Sequence, residues 1–394
     1  MKQKNSFFSR FFLLVLGLLS TTQVIANVNI QPENLEKYDS IEVSLLTCSP
    51  HEEIYSLYGH TALRWHDLHQ SGPSAGTDIA FNWGIFNFNK PYFVLRFVFG
   101  LTDYELGPMP FSYFCDYYEK WGSSVTEQVL NLTNEEKMKL EKALQKNLQP
   151  ENRIYRYNYF YDNCSTRPRN VIEQCVNGKI EYAVREQYTP SYREMVSVCT
   201  RNHPWATFGN DILLGIKADF KTTMRQQEFL PENLLYDFDR AQIYADGTYR
   251  PLVKERRMPV TPGVQIIEND FPFTPMECAI ILLILSLLLR GLEWKSKKVF
   301  IWWDVILMLT QGLAGCILFA MIFSQHPTTS LNLQILLLNP LPLFFIPSVI
   351  RGKKTKWQKL LVVLIGLFIL GSLFQHYAEG LLIVALSLLT RFRR

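Results

Sequence analysis

The sequence predicts an α+β exported domain followed by an all-α polytopic membrane domain of five helices. Three observations predict it. The N-terminus has the layout of an export signal. The acidic residues crowd into 30–270, whereas 276–390 are dominated by Leu, Ile, Val and Phe. In that second part the Lys and Arg residues gather in alternate joints between apolar runs.

At the N-terminus Lys2, Lys4 and Arg10 precede the apolar run Phe11 to Leu19, and small and polar residues lead on to Val24-Ile25-Ala26. This three-part arrangement marks residues 1–26 as a secretory signal peptide cut after Ala26, with an uncleaved first anchor as the alternative. Residues 27–245 then form the exported domain, 246–272 a Pro- and Arg-rich linker, and 273–394 the membrane domain.

Within the exported domain, β-branched and aromatic alternation predicts strands over Ile41 to Thr47, Thr61 to Trp65, Asp78 to Ile85 and Arg153 to Phe160. Thr133-Asn134-Glu135-Glu136 has capping-box spacing and opens a helix to about Asn147. A second helix starts near Cys164 and runs to Val176, with Pro168 tolerated in its first turn and Asn177-Gly178 as its stop. Further helices are expected over Ser191 to Cys199, Trp205 to Ala218 and Pro231 to Tyr244.

Five apolar runs follow: Pro275 to Leu292, Ile301 to Phe323, Leu331 to Ile350, Trp357 to Phe374 and the short Ala378 to Thr390. Lys295, Lys297 and Lys298 follow the first. Arg351, Lys353, Lys354 and Lys356 follow the third, and Arg391, Arg393 and Arg394 the last. Ser324 to Ser330 and Gln375 to Gly380 contain no Lys or Arg. The positive-inside rule therefore places the C-terminus in the cytoplasm and residues 27–272 outside.

A formal net charge of +4, with its Lys and Arg scattered, argues against a nucleic-acid partner. Of the seven cysteines, Cys48, Cys115, Cys164, Cys175 and Cys199 are exported, and an odd number leaves at least one without a partner in the chain. Cys164 is the natural candidate. Cys175 with Cys199, and Cys48 with Cys115, are possible pairs, and reduced structural cysteines are the alternative.

Chemistry concentrates at Asn163-Cys164-Ser165, where a strand hands over to a helix and backbone N–H groups and the helix dipole favour a thiolate. His60, after the flexible Gly59, is the preferred base for that thiol, with His51, His66 and His69 as nearby competitors. Asn82, in Phe81-Asn82-Trp83-Gly84, is the choice for the group that orients the imidazole. Arg64, Arg167 and Arg169 are available for a phosphate head group, or are ordinary ion-pair partners. Asn332 and Asn339, beside Pro340 and Pro342, are costly to expose to lipid, so they line a substrate cleft or hold helices together. Neither a metal nor a cofactor is expected.

The segments Tyr58-Gly59-His60-Thr61-Ala62-Leu63-Arg64, Phe81-Asn82-Trp83-Gly84-Ile85-Phe86, Tyr161-Asp162-Asn163-Cys164-Ser165-Thr166-Arg167 and Glu228-Phe229-Leu230-Pro231 resemble the Lnb family of bacterial lipoprotein N-acyltransferases. The one departure is Trp83 where Tyr is expected. The resemblance implies a periplasmic thiol-enzyme domain with a circularly permuted, NlpC-type papain-like fold, histidine before cysteine, followed by five helices in the bacterial inner membrane. It implies that Cys164 takes an acyl chain from a phospholipid donor as a thioester and passes it to the N-terminal amine of a diacylglyceryl-cysteine apolipoprotein. His60 would be the base, with Asn82 completing the set. Tyr58, Arg64, Arg167, Asn332 and Asn339 are the expected substrate contacts. The competing expectations are a membrane-anchored NlpC-type peptidoglycan endopeptidase, a phospholipid hydrolase of the same thiol chemistry, and a binding module in which Cys164 is merely buried.

Overall fold

A computed structural model of the chain describes residues 35–69, 71, 75–87, 89–185, 189–265, 271–353 and 356–391. The expected signal peptide, and Lys354, Arg393 and Arg394 of the basic joints, lie outside the described residues.

Strands β1 (Ile41–Cys48), β2 (His60–Asp67), β3 (Asp78–Ile85), β4 (Asp103–Pro110), β5 (Val125–Leu130), β6 (Ile154–Arg156) and β10 (Val253–Val260) form a seven-stranded sheet. Its order is β10-β5-β1-β2-β3-β4-β6, and every neighbouring pair is antiparallel. A smaller sheet holds β7 (Lys179–Glu181), β8 (Gln242–Ala245) and β9 (Thr248–Pro251).

The central strands are buried on both faces because successive side chains alternate between two cores. Val43, Leu45, Leu63 and Leu106 face one way and pack with Leu140 and Leu144 of the Asn134–Leu148 helix and Ile172 of the Thr166–Cys175 helix. Leu46, Cys48, Ala62 and Ala80 face the other way, against Phe111, Phe114 and Tyr118 of the Phe111–Lys120 helix. The small residues Ala62 and Ala80 leave room for those rings. The sheet is thus a middle layer between helices.

Local chemistry decides where elements begin and end. Thr133 caps the Asn134–Leu148 helix as its spacing predicts, and Glu136 closes the box. That carboxylate also accepts from Arg250 at 2.7 Å and from the Asn177 amide at 2.8 Å, so the cap becomes a tertiary joint. The strand expected to reach Phe160 stops at Arg156. Beyond it Asn158 Oδ1 accepts the Phe160 and Tyr161 amides at 3.2 Å, a side-chain turn that competes with the ladder. The helix expected to run to Tyr244 ends at Arg240, where β8 begins.

The expected linker is corrected most. Residues 248–260 carry β9 and β10, so the main sheet reaches Val260 rather than the domain ending at 245. Among the described residues β10 pairs only with β5, and an edge strand tolerates the charges and proline that make a sequence read as a tether. Its Arg257 pairs with Glu42 at 2.8 Å and its Arg256 with Asp239 at 3.0 Å.

All five apolar runs contain helix, but they are unequal. Pro275–Ser296, Ile301–Ile322 and Leu333–Ile350 are long and apolar enough to cross a membrane. Trp357–Gly371 has 15 residues and Leu381–Leu389 has 9. At about 1.5 Å per residue those two reach roughly 22 and 14 Å into a hydrocarbon core of about 30 Å, so length supports three of the five expected spans. The third is itself interrupted: a short 3₁₀ turn, Leu333–Leu336, precedes the helix Leu341–Ile350. Pro340 and Pro342 lack the N–H groups that would continue the ladder. Gln311 Nε2 takes up the freed Leu337 carbonyl at 2.7 Å, and Asn339 Oδ1 accepts the Leu341 amide at 3.2 Å.

The joints segregate as their charges predict. Thr328, Leu331 and Gln375 touch the α+β domain, whereas Arg391 pairs with Glu293 and Asp304, each at 2.6 Å, at the other end of the helices.

Candidate active site

His60 opens β2 and is aimed by the residue before it. Gly59 has φ of 74°, and a Cβ there would stand 2.7 Å from the Cys48 carbonyl oxygen, so the turn needs glycine. Asn82 lies opposite Ala62 in the β2–β3 register, and His60 shares Ala62's face two residues earlier. The diagonal neighbours meet, with His60 Nε2 donating to Asn82 Oδ1 at 3.1 Å. With Nε2 donating to Asn82, the other ring nitrogen is the one left for the Cys164 thiol.

Cys164 sits just ahead of the Thr166–Cys175 helix and is held by its neighbours. Asn163 Oδ1 accepts the Ser165 and Thr166 amides at 3.0 Å, while its Nδ2 donates to the Tyr159 carbonyl at 3.0 Å and the Phe229 carbonyl at 2.8 Å. Ser165 Oγ lies 2.9 Å from Thr61 Oγ, which pins the cysteine loop to β2 one residue from His60. On the β3 side a Cβ added to Gly84 would touch the Cys164 Cβ at 3.8 Å, so the strand's backbone approaches the cysteine closely.

Burial pushes the Cys164 thiol up, but the His60 charge and hydrogen bond, with those from the Thr61 backbone and Ser165, outweigh it and hold the thiol below its ordinary value. Burial likewise pulls His60 down, and the Cys164 charge with the Cys164 and Asn82 hydrogen bonds raises it above its ordinary value. The pair thus favours thiolate and imidazolium together. Burial without such a partner drives Cys115, Cys175 and Cys199 up to about 11. All seven thiols are free, the two suggested pairs included.

The segment Glu228-Phe229-Leu230-Pro231 braces both halves. Phe229 takes the Asn163 amide, and Pro231 would lie 3.7 Å from a Cβ at Gly59. Glu228, 1% exposed, accepts from Arg169 Nη1 at 2.7 Å, so Arg169 is structural rather than open to a head group.

The other expected contacts lie away from the thiol or are committed elsewhere. Arg64 holds Asp78 through two bonds of 2.7 Å and Glu127 at 2.8 Å, and it lies over the Phe111 ring. Its face of β2 meets carboxylates from β3 and β5, a correction to its reading as a phosphate ligand. Arg167 is likewise bound bidentately to Asp162 at 2.7 Å and stacked on Tyr155. Tyr58 accepts from Asn210 at 2.8 Å and packs edge-on against Tyr159. His51 is stacked on Trp121 at 4.7 Å, His66 lies 4.0 Å from Asp78, and His69 pairs with Asp67 at 2.5 Å.

Asn332 and Asn339 hold backbone together rather than line a cleft. Asn339 caps the broken third run, and Asn332 Nδ2 reaches the Ile212 carbonyl of the α+β domain at 2.6 Å. That contact belongs to a polar seam the sequence reading missed. Gln334, fully buried, donates to the Asp211 carbonyl at 2.7 Å and accepts the Ala378 amide at 2.9 Å. Gln375 donates to the Leu214 carbonyl at 3.2 Å, and the Gly215 and Ile216 amides reach Thr328 and Leu331 at 2.8 and 2.9 Å. Buried Arg193 fixes the docking loop through Asp211 at 2.9 Å and Asp219 at 2.5 Å. The signal for these glutamines was the one used for Asn332, a polar side chain in or beside an apolar run. Among the described residues no cluster of three or more His, Cys, Asp or Glu is placed to hold a metal.

A half-buried thiol and imidazole with a buried amide thus lie in an α+β domain that is stitched by hydrogen bonds to a bundle of apolar helices, the architecture of a membrane-anchored protein. Family models agree with both halves: that for the Lnb N-terminal periplasmic domain matches residues 32–198, and that for the Lnb transmembrane domain matches residues 266–393. The chain belongs to the Lnb family, with a periplasmic N-terminal domain and a multi-helix transmembrane domain. No curated protein and no solved structure matches it.

Proposed function

We propose that this protein is a lipoprotein N-acyltransferase working through a Cys164 thioester. The observation that carries the reading is the convergence of His60, oriented by Asn82 at 3.1 Å, and Cys164, whose loop is pinned beside it by the Ser165–Thr61 contact at 2.9 Å, with the thiol held below, and the imidazole above, their ordinary values. The Cys164 thiolate attacks an ester carbonyl of a phospholipid. The C–S bond forms, the ester C–O bond breaks, and the His60 imidazolium gives its proton to the departing glyceryl oxygen, releasing a lysophospholipid. The α-amine of a diacylglyceryl-cysteine then attacks the thioester. The C–N bond forms, the C–S bond breaks, and His60 takes the amine proton, restoring the ion pair.

The tetrahedral oxyanion needs a donor. The Ser165 and Thr166 amides at the helix start are occupied by Asn163. Asn82 Nδ2 is buried without a partner and is the donor we assign. We read the domain as circularly permuted papain-like, with His60 on β2 ahead of the Cys164 helix. Trp357–Gly371 and Leu381–Leu389 complete, in this reading, a five-helix membrane domain that brings both lipid substrates to the seam.

Mass spectrometry of a lipoprotein N-terminus from cells with and without this protein tests the reading. The expected result is a third acyl chain, on the amine, only when the protein is present. An unchanged N-terminus, with cell-wall peptides cleaved instead, would favour the endopeptidase.

A further inference from the structure

At the end of the membrane domain remote from Cys164 the helices leave an opening. A cavity of about 810 Å³ lies between the first turns of the Ile301–Ile322 and Trp357–Gly371 helices and the end of the Leu381–Leu389 helix. Its wall is apolar, including Leu307, Met308, Leu361 and Leu388. Its rim is basic: Lys353, Lys356, Lys359 and Arg391 line it, against Asp304.

Two buried side chains of this lining have an atom left over. Arg391 is 6% exposed; its Nε and Nη2 are held by Asp304 and Glu293 at 2.6 Å, and its Nη1 has no partner. Gln311 is 4% exposed; its Nε2 is spent on the Leu337 carbonyl and its Oε1 has none. A basic rim of three exposed lysines beside Arg391, above an apolar wall, suits a phosphate whose remaining bulk is hydrocarbon.

We propose that this cavity binds an anionic phospholipid of the cytoplasmic leaflet, its phosphate on the three lysines beside Arg391, its chains along Leu307, Leu361 and Leu388. The leaflet follows from the basic joints. The site is separate from the thiol, because the far end of the Ile301–Ile322 helix leads to Gln325, whose amide donates to the Phe99 carbonyl of the periplasmic domain at 3.0 Å. That helix has 22 residues, about 33 Å of rise. The proposal goes beyond the acyl-transfer reading and stands whichever phospholipid serves as donor.

The test uses delipidated full-length protein in neutral detergent, titrated with phosphatidylglycerol, phosphatidylcholine or inorganic phosphate and read by native mass spectrometry. Wild-type protein should retain phosphatidylglycerol at least about ten-fold better than phosphatidylcholine. A Lys353→Gln/Lys356→Gln/Lys359→Gln variant should lose that preference while Cys164 alkylation stays unchanged, which certifies its fold. Arg391→Gln should lose it too, although breaking the Glu293 and Asp304 pairs puts its folding at risk, so the triple variant decides. Equal retention of the two lipids, an unaltered preference in the triple variant, or inorganic phosphate displacing the lipid at equal concentration would each overturn the proposal.

Discussion

The side-chain amide of Asn163 donates to the Phe229 carbonyl at 2.8 Å, tying the residue before the thiol to the segment whose Pro231 packs beside Gly59. One short stretch therefore sets the spacing of Cys164 and His60. Asn163 is 3% exposed and makes four such bonds to backbone, so Asn163→Ala leaves buried groups unsatisfied and should cost on the order of 3 kcal/mol. Thermal unfolding in detergent, together with Cys164 alkylation, checks this. A variant as stable and as thiol-reactive as wild type would show that the loop holds itself.

The Arg169–Glu228 pair braces the same stretch from inside. Removing one partner strands a buried charge, so Arg169→Met or Glu228→Met alone should destabilise by about 3–5 kcal/mol. The double replacement should recover much of that loss, because two apolar side chains leave no charge behind. Equal damage in single and double variants, measured by unfolding midpoint, would assign the cost to packing instead.

Alkylation of Cys164 should depend on pH in a particular direction. The folded thiol lies below its ordinary value, so its reaction with iodoacetamide should reach half-maximal rate below the roughly 8.5 of a free cysteine. In His60→Ala the burial remains and the imidazolium is gone, so the half-point should move above that of a free cysteine. In the intact protein, activity should fall again as His60 loses its proton, at a pH above the ordinary histidine value of about 6.5. An identical alkylation profile in wild type and His60→Ala would mean the imidazole does not hold the thiolate.

The seam between the domains makes its own prediction. Gln334→Leu removes the bonds to the Asp211 carbonyl and the Ala378 amide while suiting the apolar surroundings. It should loosen the periplasmic domain from the bundle, read as faster proteolysis within residues 211–219, without lowering the thiol's reactivity at saturating iodoacetamide. Unchanged proteolysis would leave the seam to its other bonds.

What the sequence revealed, and what it hid, follow from the range of the interactions. The Asn134–Leu148 helix and strands β1, β2 and β3 were legible because their capping and alternation are local signals. His60, Asn82 and Cys164 were legible as chemistry, although their meeting depends on the β2–β3 register and on the Asn163 turn, which no spacing reveals. β10 was hidden because an edge strand's charges look like those of a linker. Whether Arg64 and Arg167 bind a head group or pair with carboxylates was left open in the sequence because packing chooses the partners: Asp78 comes from the adjacent β3, Glu127 from β5 two strands away, and Asp162 from the turn before the thiol.

The central claim is a covalent acyl-Cys164 intermediate that an amine resolves. Purified protein mixed with a phospholipid donor should gain the mass of one acyl chain on the peptide containing Cys164, and a diacylglyceryl-cysteine peptide should then remove it as its N-acyl product. Cys164→Ala, His60→Ala and Cys164→Ser should each fall by several orders of magnitude, and the Cys164→Ala/His60→Ala double variant should be hardly worse than either alanine variant, since the two groups act as one unit. Undiminished N-acylation by Cys164→Ala, with no acylated peptide in the wild type, would contradict the account.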